Sequence, residues 1–225
     1  MKQLFVVMCV MLILALSGTA LAGEIKPAIY VGGGMSLPMG PQLFSDFWKS
    51  GFGGSGGIGL QVSPAIEIGG TFGYSKFPFD DDAVLEYFGV SDLELSGVNV
   101  DITFSGLDIT TLEFLAYGKY IFTVGAEGSK FKPYMLATAG MTKMSTDEMS
   151  ASVIVTGAID TSFTESAPKI STTDFTIGFG AGFEYMFSPK AGLWLDGKYM
   201  VVLTEGESTA YLPLRAGLKF MFGGK

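Results

Sequence analysis

The chain contains no histidine and one cysteine, Cys9. Without histidine the usual general base, the commonest metal ligand and the middle member of a Ser-His-Asp triad are all missing. Cys9 lies inside an apolar run near the N-terminus, too early for a lipoprotein cleavage site. Beyond that run there is no thiol to form a disulfide, a thiolate metal site or a nucleophile. These absences leave few enzyme classes open and imply no cofactor. Charge is scarce as well: only 16% of residues are charged, and once Lys2 is set aside 13 bases face 22 acids, a net of -9. Such a chain is repelled by phosphates, so no nucleic-acid partner is expected. Past residue 22 no apolar run approaches the ~18 residues of a membrane-spanning helix.

What is plentiful is apolar and small. Hydrophobic residues make up 48% of the 225, aromatics 13%, and glycine stands at 32. That is apolar for a soluble domain, so something other than a buried core must take up the surface. Part of the excess is a leader: Lys2, then the 13 apolar residues Leu4 to Leu16, then the small residues of Ala20-Leu21-Ala22. Residues 1–22 are expected to be a cleaved signal peptide, leaving 23–225 as one domain.

The apolar signal beyond the leader has period two, the mark of strands. In "TDFTIGFGAGFEYMF" (173–187) the odd positions from Phe175 onward are all apolar or aromatic, while Thr, Gly and Glu occupy most of the even ones. Similar splits predict eight strands near 27–36, 52–62, 65–76, 110–123, 132–144, 173–187, 191–203 and 210–222. Their bulky faces are aromatic-rich and their other faces carry the few charges, the reverse of a soluble, lipocalin-like barrel or sandwich. Strands of ten or more residues suit a tilted crossing of hydrocarbon. The fold expected is all-β, an eight-stranded antiparallel transmembrane β-barrel with up-and-down meander topology. Links at 63–65, 125–130 and 188–192 are short and alternate with longer ones at 37–51, 77–109, 145–172 and 204–209. "DDDAVLEYFGV" (80–90) suits a short helix, and 150–175 suits a protruding hairpin.

If the bulky faces meet lipid, the opposite faces fill a narrow lumen. The inward charges are Glu67, Glu113, Glu184 and Asp196 against Lys119, Lys198, Arg215 and Lys219. Four acids meeting four bases suggest an ionic plug with little open pore, unless several of them sit in water at the rims. Inward glycines (Gly57, Gly59, Gly69, Gly73, Gly178, Gly180, Gly182) leave room for a cavity on one side. Between Phe77 and Leu112 there are eight acids and no base. That stretch is either a solvated acidic surface or a place for divalent-cation bridging to phosphates, or for a basic partner.

The closing strand, "RAGLKFMF" (215–222), puts Phe220 and Phe222 on one face and Arg215, Gly217 and Lys219 on the other. "GFEYMF" (182–187) repeats its aromatic spacing, and "GKYIF" (118–122) nearly so. The rings of Tyr120, Phe122, Tyr185, Phe187, Phe220 and Phe222 then form one girdle at headgroup level.

The leader, the strand rhythm, "WKSGFGGSGGIGLQVSP" (48–64), the turn "FSPKAGLWLDGKY" (187–199) and the closing strand together resemble the small outer-membrane β-barrel family, the OmpA-type and OmpX-type eight-stranded domains. Arg215, Gly217, Phe220 and Phe222 match that family's C-terminal assembly signal position for position, although residues 223–225 follow it. The resemblance implies an outer-membrane location with short periplasmic turns and long extracellular loops. It also implies contact with outer-membrane lipids and lipopolysaccharide, and the barrel-assembly machinery as a partner during biogenesis. A non-enzymatic, structural and surface-exposed envelope protein with acidic extracellular loops is the leading expectation. The alternatives are a narrow pore or OmpW-like conduit for small hydrophobic molecules, and an adhesin with an unknown extracellular partner. The barrel enzymes of this size resemble one another in using a catalytic histidine, which is missing here.

Overall fold

The computed structural model describes residues 25–87, 89, 99–123, 129–156 and 161–222. The expected leader, the acids Asp92 and Glu94 and the tail 223–225 lie outside them. Among the described residues there are eleven strands: β1 (Lys26–Gly40), β2 (Gly51–Gln61), β3 (Ile66–Phe77), β4 (Asn99–Ser105), β5 (Ile109–Ile121), β6 (Phe131–Ser145), β7 (Met149–Thr156), β8 (Thr161–Ala167), β9 (Ser171–Met186), β10 (Ala191–Leu203) and β11 (Thr209–Met221). Two short helices, α1 (Gln42–Phe47) and α2 (Asp81–Tyr87), lie between β1 and β2 and between β3 and β4.

Eight of the strands close into a barrel in the order β1-β11-β10-β9-β6-β5-β3-β2. Every pairing is antiparallel, and the first and last strands seal the ring through pairs such as Val31 with Leu218 and Gly32 with Gly217. Closure matters physically because it leaves no edge strand with unpaired amides, the condition for a sheet to sit in hydrocarbon. The expected eight-stranded meander is therefore the observed barrel, with strand ends within a few residues of those read from periodicity.

The two faces differ as the alternation requires. Outward Phe52, Ile58, Phe114 and Phe179 are 74, 68, 62 and 67% exposed, whereas inward Glu67 and Glu184 are fully buried. An apolar outer belt of this extent is unfavourable in water and favourable against lipid chains. Among the described residues no helix is long and apolar enough to cross a membrane.

β4, β7 and β8 form a separate three-stranded sheet in the order β4-β7-β8. Its order and register continue those of the barrel strands beneath it. Ser105 with Ser150 prolongs the ladder of Thr110 with Ser145, and Met149 with Ala167 prolongs that of Ser145 with Ser171, with no residue gained or lost. The sheet is thus a blade that extends three adjacent barrel strands beyond the rim. Gly106 takes φ +76° where the chain turns from β4 toward β5. A side chain there would strike the Glu148 carbonyl. The expected hairpin is β7–β8 and the expected helix is α2. Strand β4, which completes the blade, lies in what periodicity left as loop.

Candidate functional site in the barrel lumen

All eight predicted lumen charges lie inside the barrel, each no more than 6% exposed. Four of them meet. Glu67 on β3, Lys119 on β5, Glu184 on β9 and Lys219 on β11 converge from four strands, and only the first two are register neighbours. Lys119 Nζ lies 3.1 Å from Glu67 and 2.8 Å from Glu184, while Lys219 Nζ lies 2.9 Å and 2.7 Å from the same two carboxylates. Tyr30 donates to Glu67 at 2.6 Å and accepts from Lys119 at 3.0 Å, and Tyr117 donates to Glu67 at 2.8 Å. Lys119 also sits 4.4 Å from the ring centres of both Tyr30 and Tyr134. The group is neutral, two against two, and its hydrogen bonds answer the desolvation of each charge.

The other four charges do not join this network. Among the described residues Arg215 reaches no carboxylate, although Asp196 is its register partner on β10. Its guanidinium instead donates to the Met35 carbonyl at 2.7 Å and to Ser36 and Ser75 at 2.9 Å and 2.7 Å. It lies across β2 at Gly53, where a Cβ would come within 2.7 Å of the guanidinium. Glu113 accepts from the Tyr211 hydroxyl at 2.8 Å, and Asp196 accepts from Tyr134 at 3.2 Å. Lys198 makes no hydrogen bond or ion pair among the described residues. The single network expected from charge balance is therefore a quartet flanked by separately placed groups, because strand adjacency alone does not determine which side chains meet across a closed lumen.

The inward glycines make room for neighbouring side chains. Their missing side chains accommodate bulky ones from neighbouring and opposing strands. The Tyr117 ring would stand 2.7 Å from a Cβ at Gly69, the Tyr134 ring 2.8 Å from one at Gly182, and Trp194 2.7 Å from one at Gly32. Among the described residues a chamber of about 40 Å³ lies near mid-barrel. Toward the short turns the lumen ends in Ala28, Met186 and Met221, packed with Tyr30 and Trp194.

At the end with the long links, α1 lies over the mouth and inserts Phe44 among Phe77, Leu115, Met200, Val202 and Tyr211. This lid has no counterpart in the sequence reading. It is tied down by Trp48, whose indole donates to the Leu107 carbonyl at 2.9 Å, and by backbone bonds from Lys49 to Pro78 and from Asp80 to Phe47.

Part of the acidic stretch serves the same ties. Asp80 pairs with Lys49 at 3.1 Å and Asp108 with Lys76 at 2.9 Å. Partial burial pushes the Asp108 carboxyl up, but hydrogen bonds from the Phe79 amide and from Lys76 outweigh it and hold the group below the usual carboxylate range. Asp81 is pushed up by burial and then by the charge of Asp82. Among the described residues no three carboxylates gather as a metal site.

The girdle residues Tyr120, Phe122, Tyr185, Phe187, Phe220 and Phe222 are outward and exposed, and all stand at the ends of strands running toward the short turns. Phe131, at the start of β6, joins them. Gly217 faces inward, where a Cβ would press on the backbone of Val31 and Gly32.

A closed ring of eight antiparallel strands with an apolar exterior and a charged, filled interior defines the small transmembrane β-barrels. The chain belongs to the outer membrane protein beta-barrel domain family, whose profile matches residues 8–222. It is similar in fold to Neisserial surface protein A, with TM-score 0.51 and 16% identity over 88% of this chain and 97% of that one. It is likewise similar to a major outer membrane protein of Thermus thermophilus, with TM-score 0.50 and 14% identity over 89% and 100%. No curated protein matches the sequence. The protein is thus an outer-membrane barrel of the cell envelope.

Proposed function

We propose that the protein is a non-enzymatic structural barrel that stays closed to solutes and displays a folded loop assembly outside the cell. The observation that carries this reading is the filled lumen: a neutral ion quartet in the middle, apolar side chains at one end and the Phe44 lid at the other. A pore or a conduit for small hydrophobic molecules needs a continuous path, and the quartet and the two apolar ends stand across this lumen. Placing the long links outside puts α1, α2 and the blade on the extracellular face, above lipopolysaccharide, and the aromatic ends of β5, β9 and β11 at the periplasmic headgroups. Gly217, Phe220 and Phe222 then act earlier, as the signal by which the assembly machinery recognises the chain after removal of residues 1–22.

Single-channel recording in planar bilayers tests the closed state. Wild type is expected to give no conductance steps, with or without Lys198→Ala or Arg215→Ala, and steady steps from the wild type would overturn the reading. A second reading, an adhesin, is favoured by the blade, whose β8 face is exposed along Ser162–Ala167. Deleting 149–167 would then abolish binding to host surfaces while leaving the barrel assembled, and binding that survives the deletion would exclude this role.

A further inference from the structure

Outside the lumen the charges are sorted by end. The lumen itself is balanced, four acids against four bases, so each end of the barrel presents the charge of its own links. The end with the long links is acidic, with Asp46, Asp82, Glu86, Glu148, Glu205 and Glu207 on it, while its Lys49 and Lys76 are tied to Asp80 and Asp108. The end with the short turns is basic. Lys26 opens β1, Lys130 and Lys132 flank the first residue of β6, and Lys190 precedes β10; two of the four are half-buried and two exposed. The acids of that end among the described residues, Glu67 and Glu184, are fully buried and matched by Lys119 and Lys219. The sequence beside these strand ends adds Glu24, Glu127 and Lys225, so five lysines still stand against two acids. Backbone bonds fix the lysines next to the aromatic girdle. The Met186 amide donates to the Lys130 carbonyl and the Met221 amide to the Lys190 carbonyl, each at 2.8 Å, and the Phe222 amide donates to Pro27, next to Lys26. Met186 lies between Tyr185 and Phe187, and Met221 between Phe220 and Phe222. The lysines also share one sector: β1, β11, β10, β9 and β6 are consecutive round the ring, whereas the β2–β3 turn, 62–65, carries no charge.

We infer that this sector binds the phosphate headgroups of anionic phospholipids in the leaflet on the short-turn side. The leaflet is the periplasmic one under the orientation proposed above, while the site itself depends only on the fold. Depth selects a lipid over a dissolved anion. Girdle rings settle at the headgroup level of a bilayer, so lysines fixed within a few residues of them hold their ammonium groups at the depth of the phosphates. Lys26 and Lys132 start from inward-facing positions, and their four-carbon stems let the charge reach out to that level. A lysine close to an anionic membrane surface strengthens association by roughly fivefold. Charges this near the phosphates lie within the screening length of physiological salt. A zwitterionic headgroup carries its own ammonium beside its phosphate and gains far less. The acidic end repels the same anionic headgroups, so the barrel draws them to one leaflet and to one side of its wall.

Titrating phosphatidylglycerol into the full chain, refolded in zwitterionic micelles and observed by NMR, tests the site. Saturable amide shifts are expected at Lys130, Phe131, Lys190 and Ala191, and none at Lys76 or Lys143 toward the opposite rim. Lys130→Gln/Lys190→Gln should weaken the apparent affinity roughly thirtyfold while the barrel keeps its heat-modifiable mobility. Lys143→Gln should bind as the wild type does. Shifts that are absent, spread equally over both ends, or unchanged in affinity in the double variant would overturn the inference. Inorganic phosphate producing the same shifts at equal concentration would overturn it as well, because the site would then take free anions. Conductance does not enter any of these readouts, so their outcome is separate from whether the lumen is closed.

Discussion

Removing one member of the ion quartet should destabilise the barrel far more than removing a matched pair. Lys219→Met keeps the apolar stem but deletes an ammonium that is 1% exposed and lies 2.9 Å from Glu67 and 2.7 Å from Glu184. Two carboxylates are then left against Lys119 alone, and all three groups are at most 6% exposed. Breaking a buried pair in this way costs about 3–5 kcal/mol. At ~1.4 kcal/mol per tenfold, that is roughly a hundred- to several-thousand-fold in the folding equilibrium. In Lys219→Met/Glu184→Met the remaining Glu67 and Lys119 are balanced again. Replacing a whole buried pair by apolar groups of similar volume is close to neutral, so the double variant should recover most of the loss. The assay is urea unfolding in phospholipid vesicles, followed by tryptophan emission and by the mobility of unboiled samples on gels. The midpoint should move while the slope stays the same. A single variant that unfolds at the wild-type midpoint, or a double variant no better than the single, would refute the quartet as a coupled unit.

Other regions give separate predictions. Phe44→Ala should cost about 3–5 kcal/mol if the lid is packed as a core, and hydrogen exchange should rise at the Lys49 and Asp80 amides while the β9–β10 ladder stays protected. Phe222→Ala should lower the amount of assembled, heat-modifiable barrel in the outer membrane, and unchanged levels would count against the assembly signal. Because the Asp108 carboxyl is held low in the fold, its tie to Phe79 and Lys76 contributes above the unfolded value of about 4 and is lost as pH falls through the folded one. Protease nicking between residues 77 and 108 should therefore increase below about pH 4 in wild type. In Asp108→Asn it should be high at neutral pH already, with little further dependence on acid.

Much of the barrel was legible because a strand with one lipid face and one lumen face alternates strictly, and a slip of one residue would invert every side chain. That is why Leu214 to Phe222 and Phe175 to Phe187 could be assigned to faces without coordinates. Two short segments were not legible. Helix α1 has six residues, too few to show a helical period, and its plugging residue Phe44 looks like any aromatic in a loop. Strand β4 does alternate, with Ile102 and Phe104 on one side, but the signal is embedded in an acid-rich stretch and gains its meaning only from pairing with β7. The partners within the lumen were the least accessible. Glu67 and Lys119 are neighbours across one ladder, whereas Glu184 and Lys219 reach them through the interior, and that geometry depends on the stagger with which the ring closes. Arg215 shows the same limit: the register offers Asp196, and the side chain goes to Ser36 and Ser75 instead.

The central claim is that one face of each strand meets lipid while the other faces a closed, charged lumen. A nitroxide scan along β11 and Phe222 tests it most directly, with single cysteines placed from 212 to 222 in a Cys9→Ser background and the protein held in lipid bilayers. Leu212, Leu214, Ala216, Leu218, Phe220 and Phe222 should be accessible to oxygen dissolved in lipid, and Pro213, Arg215, Gly217, Lys219 and Met221 should be shielded from both oxygen and water-soluble relaxers. A flat profile, or even-numbered positions that respond to the water-soluble relaxer rather than to oxygen, would contradict it.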